Sequence, residues 1–331
     1  MASESVNFDF YGTGLSLSSA SPEILDGIRR DFEYFIAPTA SSPIVKISAT
    51  TGAPPFDRIP RKFASMMTPK AVTYDDGSTR YNDYGGRALA IFDFKREFGE
   101  IWSEDFDLLY ELTYLTALSR IGEIHDLRGI HRAHALGIAR GARGAIVLLP
   151  EGGGKSTLAI RLLATDGIRI LSDDTPLISR GKMLAFPTRI GLKQGEARGI
   201  DPAWLRTMHR REHGTKTLVD VGWFRDRIAS DAQPFALIVG TRHGGAESWI
   251  EPMTKMKAGP ALAANLVFGL GLPQVIEYFL RGGIGDTLRK GGIMASRAAA
   301  AIRIAAQARC FRLAMGRDIE GAARAVVSVL G

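Results

Sequence analysis

Lys155 and Ser156 follow three consecutive glycines, Gly152, Gly153 and Gly154, in the stretch LLPEGGGKSTLAIRLL that begins at Leu148. Glycines in that order suit a loop whose backbone N–H groups turn inward onto phosphate oxygens, where a Cβ would collide. Lys155 would then reach the β and γ phosphates of ATP. Ser156 would offer its hydroxyl to Mg2+ at the first turn of a helix, with Thr157 next to it, and the positive end of that helix faces the same charge. Such a loop ordinarily opens with glycine, and here that position holds Leu149. The departure alters the entry turn and leaves the cradle complete.

A second chemical feature follows. The run IRILSDD ends in Asp173 and Asp174. In nucleotide-hydrolysing and phosphate-transferring sites, a carboxylate at a strand end serves the metal. With two of them, one could hold Mg2+ and the other take the proton of an attacking hydroxyl. The sequence does not say which does which, and an aspartate that caps a turn is the plainer alternative for either.

The elements that would position these groups can be read around them. GAIVLLP is a short apolar run fit for a buried strand, the glycines come at once, and STLAIRLLAT continues at helical period. IRILSDD, MLAFP and PFALIVGT read as further strands, and RGARG between Leu136 and Leu148 as a hairpin turn. The tail holds an Ala-rich helix from Ala295, a strand at Cys310–Met315 and a last helix from Ile319. Residues 1–128 alternate candidate strands (Val6–Phe10, Ile44–Ser48, Ala88–Phe94) with helical patterns at Pro22–Phe35 and Asp105–Leu118, with a loop near residues 38–58. The fold class expected is α/β, a smaller N-terminal α/β domain (1–128) before a phosphate-loop domain (129–331).

Taken together, the loop, the Asp-Asp strand end and a histidine upstream resemble the HPr kinase/phosphorylase superfamily, whose serine kinases combine these features. HRAHALGI, GGGKSTLA, SDD, FPTRIGLK and GLGLPQVIEYFLR are, more narrowly, similar to the HPr-kinase-related proteins found with lasso-peptide biosynthesis, over residues 129–331. The resemblance implies a P-loop kinase domain with a mixed β-sheet flanked by helices. It implies an ATP- and Mg2+-dependent enzyme that phosphorylates a serine near the end of a ribosomally made precursor peptide. Lys155, Ser156, Asp173 and Asp174 match the family's functional positions, and His134 takes the place of its histidine on the strand before the loop, with His131 the weaker candidate. The acidic stretch by which HPr kinases recognise their protein partner is not evident. HPr kinases proper form hexamers, which leaves a homo-oligomer open. A nucleotide-dependent switch or binding protein, or an HPr-like protein serine kinase, remains the alternative.

Other residues carry softer readings. Arg189 could contact a phosphate through its planar fork. Lys193, Lys216 and Arg242 could line the nucleotide or acceptor groove, or be solvated charges. His209, His213 and His243 lack partners at ligand spacing, and Trp223 and Trp249 are read as packing residues.

Composition bounds the rest. Among 331 residues there is one cysteine, Cys310, which rules out an intramolecular disulfide, and no His/Cys cluster has zinc spacing. The start MASESVNFDFYG has neither a basic beginning nor an apolar run, which predicts a cytoplasmic protein. ALAANLVFGLGLPQVIEYFL, from Ala261, is interrupted by Asn265, Pro273, Gln274 and Glu277, so helix, turn and helix are expected rather than a membrane span. The net charge of +7 is spread along the chain, with Arg-rich spots at MHRREHGTK and ASRAAAAIRIAAQARCFR. Solvated helix faces are the expectation over nucleic-acid binding.

Overall fold

Burial alternates along the strands of the first part of the chain, as it does wherever one strand face meets a core. Leu15, Leu17 and Ser19 are buried in Gly14–Ser19, and Gly99, Ile101 and Ser103 in Phe98–Ser103. The computed structural model describes residues 4–38, 44–150, 152–210, 214–272 and 284–331. These fall into two units, one drawn from Met1–Ile124 and Met208–Thr215, the other from His125–Thr207, Lys216–Leu272 and Gly283–Gly331.

The first unit is built on an 8-stranded sheet. Its strands are β1 (Glu4–Asp9), β2 (Gly14–Ser19), β3 (Val45–Thr51), β4 (Met66–Met67), β5 (Val72–Asp76), β6 (Thr79–Asp83), β7 (Ala88–Asp93) and β8 (Phe98–Ser103). They are ordered β1-β2-β3-β8-β7-β6-β5-β4, with β2, β3 and β8 mutually parallel and the other pairings antiparallel. Helix α1 (Pro22–Asp31) packs on β1 and β2, and Phe8, Phe10 and Phe32 meet at ring centroids 5.4 to 6.1 Å apart.

Sheet dominates this unit more than the sequence suggested; β3 forms at the strand expected over Ile44–Ser48 and runs on to Thr51, inside the 38–58 stretch otherwise expected as loop. Helix α2 (Phe106–Leu127) also runs past Leu118. The apolar period breaks there because the added turns carry buried polar groups with internal partners. Ser119 Oγ donates to the Leu115 carbonyl at 2.7 Å, and Arg120 pairs with Glu97 at 2.7 Å and with Glu123.

The second unit holds a 9-stranded mixed sheet flanked by helices. Its strands are β9 (Ile130–Arg132), β10 (Leu136–Arg140), β11 (Arg143–Leu148), β12 (Ile168–Ser172), β13 (Leu177–Ser179), β14 (Lys182–Leu184), β18 (Asp231–Arg242), β19 (Trp249–Pro252) and β20 (Arg309–Met315). A separate 3-stranded sheet takes β15 (Ile190–Lys193), β16 (Leu205–Arg210) and β17 (Gly214–Val219). The helices are α3 (Lys155–Leu163), α4 (Val221–Phe224), α5 (Lys255–Leu262), α6 (Ile284–Gln307) and α7 (Ile319–Ser328), with a π-helical turn at Ala263–Val267.

The RGARG hairpin forms as expected: β10 and β11 pair antiparallel with Arg140 opposite Arg143, and Gly141 takes φ 57 in the two-residue turn. Because β10 is antiparallel to both β11 and β12, those two run the same way, and β18 and β20 continue that direction. Four carboxyl ends, those of β11, β12, β18 and β20, therefore open on one edge of the sheet, the edge where open α/β sheets bind ligands. The Ala-rich helix α6 buries one face, Ile293, Ala300, Ala301 and Ile304, against the core of its unit and leaves Ile302 and Arg303 exposed. No helix among the described residues is long and apolar enough to cross a membrane, and of the ALAANLVFGLGLPQVIEYFL segment everything from Pro273 on lies outside the described residues.

Candidate active site

The chain leaves β11 at Leu148 and enters α3 at Lys155, so the glycines have one tight turn in which to reverse it. Gly153 N–H donates to the Pro150 carbonyl at 2.9 Å, and a Cβ on Gly153 would sit 2.7 Å from that oxygen. Gly152 and Gly154 take φ 66 and 94, which side chains rarely allow. The cradle thus requires its glycines individually. Leu149 is accounted for by its neighbour: its side chain is buried against Gly240 of β18, where a Cβ would meet Leu149 Cδ2 at 2.5 Å. The close approach that an opening glycine would give is supplied here by a glycine on the adjacent strand.

Lys155, the first residue of α3, turns inward and is 8% exposed. Its Nζ reaches Asp174 Oδ1 at 3.0 Å and hydrogen-bonds His134 Nε2, and that nitrogen stands 3.2 Å from the same Asp174 oxygen. One turn of loop, one strand end and one upstream bend therefore meet at three side chains. His134 is not on a strand; it lies in the bend between β9 and β10. Its N–H donates to the Asn265 carbonyl at 3.0 Å, and its ring lies under Gly271, where a Cβ would be 2.2 Å away.

The two aspartates sit in different surroundings. Asp173 is buried, and its Oδ2 accepts from Ser156 Oγ at 3.2 Å. Burial, reinforced by the neighbouring Asp174 charge, pushes its carboxyl up to about 7. Asp174 is partly exposed at its side chain, 34%. Burial works against its charge too, but the His134 hydrogen bond and the Lys155 charge outweigh it and hold this carboxyl below the usual carboxylate value. The sequence presented an equivalent pair, whereas the fold separates them into one group beside the loop serine and one beside the lysine and histidine.

No protein-family model matches this chain, and no curated protein matches it. The site is therefore read on its own geometry.

The remaining candidates fall at varying distance from this cluster. Thr157 Oγ1 donates to Glu196 Oε2 at 3.2 Å, and Glu196 also accepts from the Lys193 N–H at 3.1 Å, so the start of α3 is tied to the turn after β15. Arg189 is buried just before β15, and Lys193 and Lys216 face one another across β15 and β17. Arg242, at the end of β18, brings Nη1 to 3.8 Å of the point where Gly154 would carry a Cβ, beside the loop. Mg2+ bound with a nucleotide takes one or two carboxylates and substrate oxygens, a need that Ser156 and Asp173 meet.

Outside the cluster, His131 is bonded on both ring nitrogens, to Asp126 at 2.8 Å and to Ser296 Oγ at 2.9 Å. His209 bonds Thr215 at 3.0 Å on an exposed hairpin, and His213 lies outside the described residues. Trp223 packs edge-on to Phe224. Trp249 is not the packing residue expected: it is 49% exposed and lies 4.8 Å from the His243 ring.

The sequence reading missed Glu196, Asn265 and Gly271 as neighbours of the site. Only Gly271 carried a signal, as a glycine in the quoted GLGLP stretch.

Proposed function

We propose that this chain is an ATP- and Mg2+-dependent kinase of the HPr kinase type that phosphorylates a serine hydroxyl, in a peptide and near the end of a ribosomally made precursor. The observation that carries the reading is the meeting of Lys155, His134 and Asp174 in one cluster, with Ser156 and Asp173 bonded beside it at 3.2 Å. A plain glycine turn needs neither the histidine nor a second carboxylate of opposite protonation tendency.

The roles divide along these surroundings. Gly152 and Gly154 expose backbone N–H groups to the triphosphate while the Gly153 N–H closes the turn onto the Pro150 carbonyl, and Lys155 and Arg242 meet its charge from the floor and the side. Ser156 and Asp173 hold Mg2+, which when bound neutralises the phosphate oxygens and favours in-line displacement. Asp174 is the proton acceptor. In the structure its charge is engaged by Lys155. As Lys155 turns to phosphate, Asp174 keeps its bond to His134 and is free to take the serine proton. The new bond joins serine Oγ to the γ phosphorus, the bridging oxygen leaves with ADP, and the proton ends on Asp174. Most of the rate is positioning and charge neutralisation, so this short set of groups is sufficient in kind.

The test is product analysis. Wild-type protein given ATP, Mg2+ and a serine peptide should yield phosphopeptide and ADP in equal amounts, and Asp174→Asn should cut transfer by about 10²–10⁴-fold, the usual worth of a positioned base. Release of free phosphate with no labelled peptide would favour a nucleotide switch. Unchanged transfer in Asp174→Asn would remove the proposed base.

A further inference from the structure

The segment Ala263–Leu272 forms a strap over the histidine of the site, and it is held in place from three directions. Its π-helical turn presents the Asn265 carbonyl to the His134 N–H at 3.0 Å. Gly271, at φ 80, lays its backbone on the His134 ring, where no Cβ could fit. From the other side Arg297 approaches the Leu266 and Val267 carbonyls, each at 3.5 Å, and a Cβ on Gly269 would be 2.8 Å from Arg297 Nη1. Arg297 is fixed in turn by two bonds to buried Asp126, at 2.9 and 2.6 Å, and Asp126 also bonds His131 at 2.8 Å. A π-helical turn adjoining catalytic groups is a common functional placement.

On this pinned strap Phe268 and Leu270 turn into solvent, 61% and 62% exposed. Single exposed apolar residues need no explanation. These two lie within three residues of the backbone that covers His134, on an element fixed by a buried arginine. An acceptor hydroxyl that donates its proton to Asp174 must come within hydrogen-bond distance of it. His134, 3.2 Å from Asp174, is covered by Gly271, and Leu270 adjoins that glycine with Phe268 three residues before it.

We propose, resting on the kinase reading above, that Phe268 and Leu270 select the acceptor: a peptide carrying an apolar side chain immediately beside the serine that is phosphorylated. Burying that side chain against the pair adds affinity, whereas an acidic neighbour would strand a charge on an apolar surface. Arg297 acts through the strap as a positioning residue.

The experiment uses the full chain with ATP, Mg2+ and paired peptides that differ only in leucine or aspartate next to the serine. Wild type should favour the leucine peptide about tenfold in kcat/KM, the scale of discrimination by a small apolar contact. The double variant Phe268→Ala, Leu270→Ala should lose that preference through a raised KM for the leucine peptide, with kcat at saturation kept. Both side chains are exposed, so the variant should fold, and its thermal unfolding checks that. Equal use of the two peptides by wild type, or a preference that survives the double variant, overturns the strap's role and leaves the kinase reading standing. Phosphorylation of neither peptide by wild type that still binds ATP overturns both.

Discussion

Asp173 and Asp174 are adjacent in sequence and opposite in behaviour, and each difference can be measured. The folded chain holds the Asp173 proton up to about 7, against an ordinary value of 3.8. Its contribution to stability is therefore full below the ordinary value and is lost as pH rises toward 7. Thermal unfolding of metal-free protein between pH 4 and 8 should show wild type losing stability relative to Asp173→Asn across that window; a constant gap between the two would contradict it. Asp174, held low, contributes in the reverse sense: its share is present above the ordinary carboxylate value and lost in stronger acid. The proposed Mg2+ site requires ionised Asp173, so Mg2+ affinity is expected to climb through the same window in which the metal-free protein weakens. The identity of the two carboxylates was legible in SDD. Their division was not, because it depends on which neighbour each meets, Ser156 or the His134–Lys155 pair, across 17 to 40 positions of sequence.

At the scale of elements, the strand–loop–helix unit was readable because every part of it is local: an apolar run, glycines, then helical period. The hairpin through Gly141 was legible for the same reason. The β15 to β17 sheet and β13 were not, because their places are set by pairing with distant segments rather than by their own pattern; the strap's helix and turn were legible, but not its place over His134. Leu149 shows what such pairing does. Placing there the glycine usual at the opening of such loops, Leu149→Gly, should not improve the site. It should empty the space over Gly240 and cost about 2–5 kcal/mol, the range for removing a buried leucine side chain, read as a lower urea midpoint. Gly240→Ala should also destabilise, by about 1–3 kcal/mol, since the added carbon would fall 2.5 Å from Leu149 Cδ2. A Leu149→Gly protein as stable as wild type would refute the packing account of this departure. Gly271→Ala would strain a φ of 80 and push on the His134 ring, and should lower transfer while nucleotide binding persists.

Across the whole molecule, the net excess of +7 is not carried by every arginine. Arg297 is buried on Asp126, Arg120 on Glu97 and Glu123, and Arg80 is held by Asp75 at 2.7 Å, so several of the arginines that make the chain look basic serve inside their units. Asp126→Ala would leave Arg297 and His131 buried beside a lost partner and should cost about 3–5 kcal/mol, seen as an earlier thermal transition. The mixed α/β architecture was foreseeable from the order of elements; the weight of sheet in the first 124 residues was not, because several of its strands are short and polar.

Above all we propose that the cluster of Lys155, His134 and Asp174 moves a phosphoryl group to a serine. The most direct test is the intact mass of a panel of serine peptides after incubation with the protein, ATP and Mg2+, beside a Lys155→Ala control of equal thermal stability. The claim predicts a gain of one or more phosphate units that the control lacks. No gain across the panel while ATP remains bound, or an equal gain in the control, would contradict it.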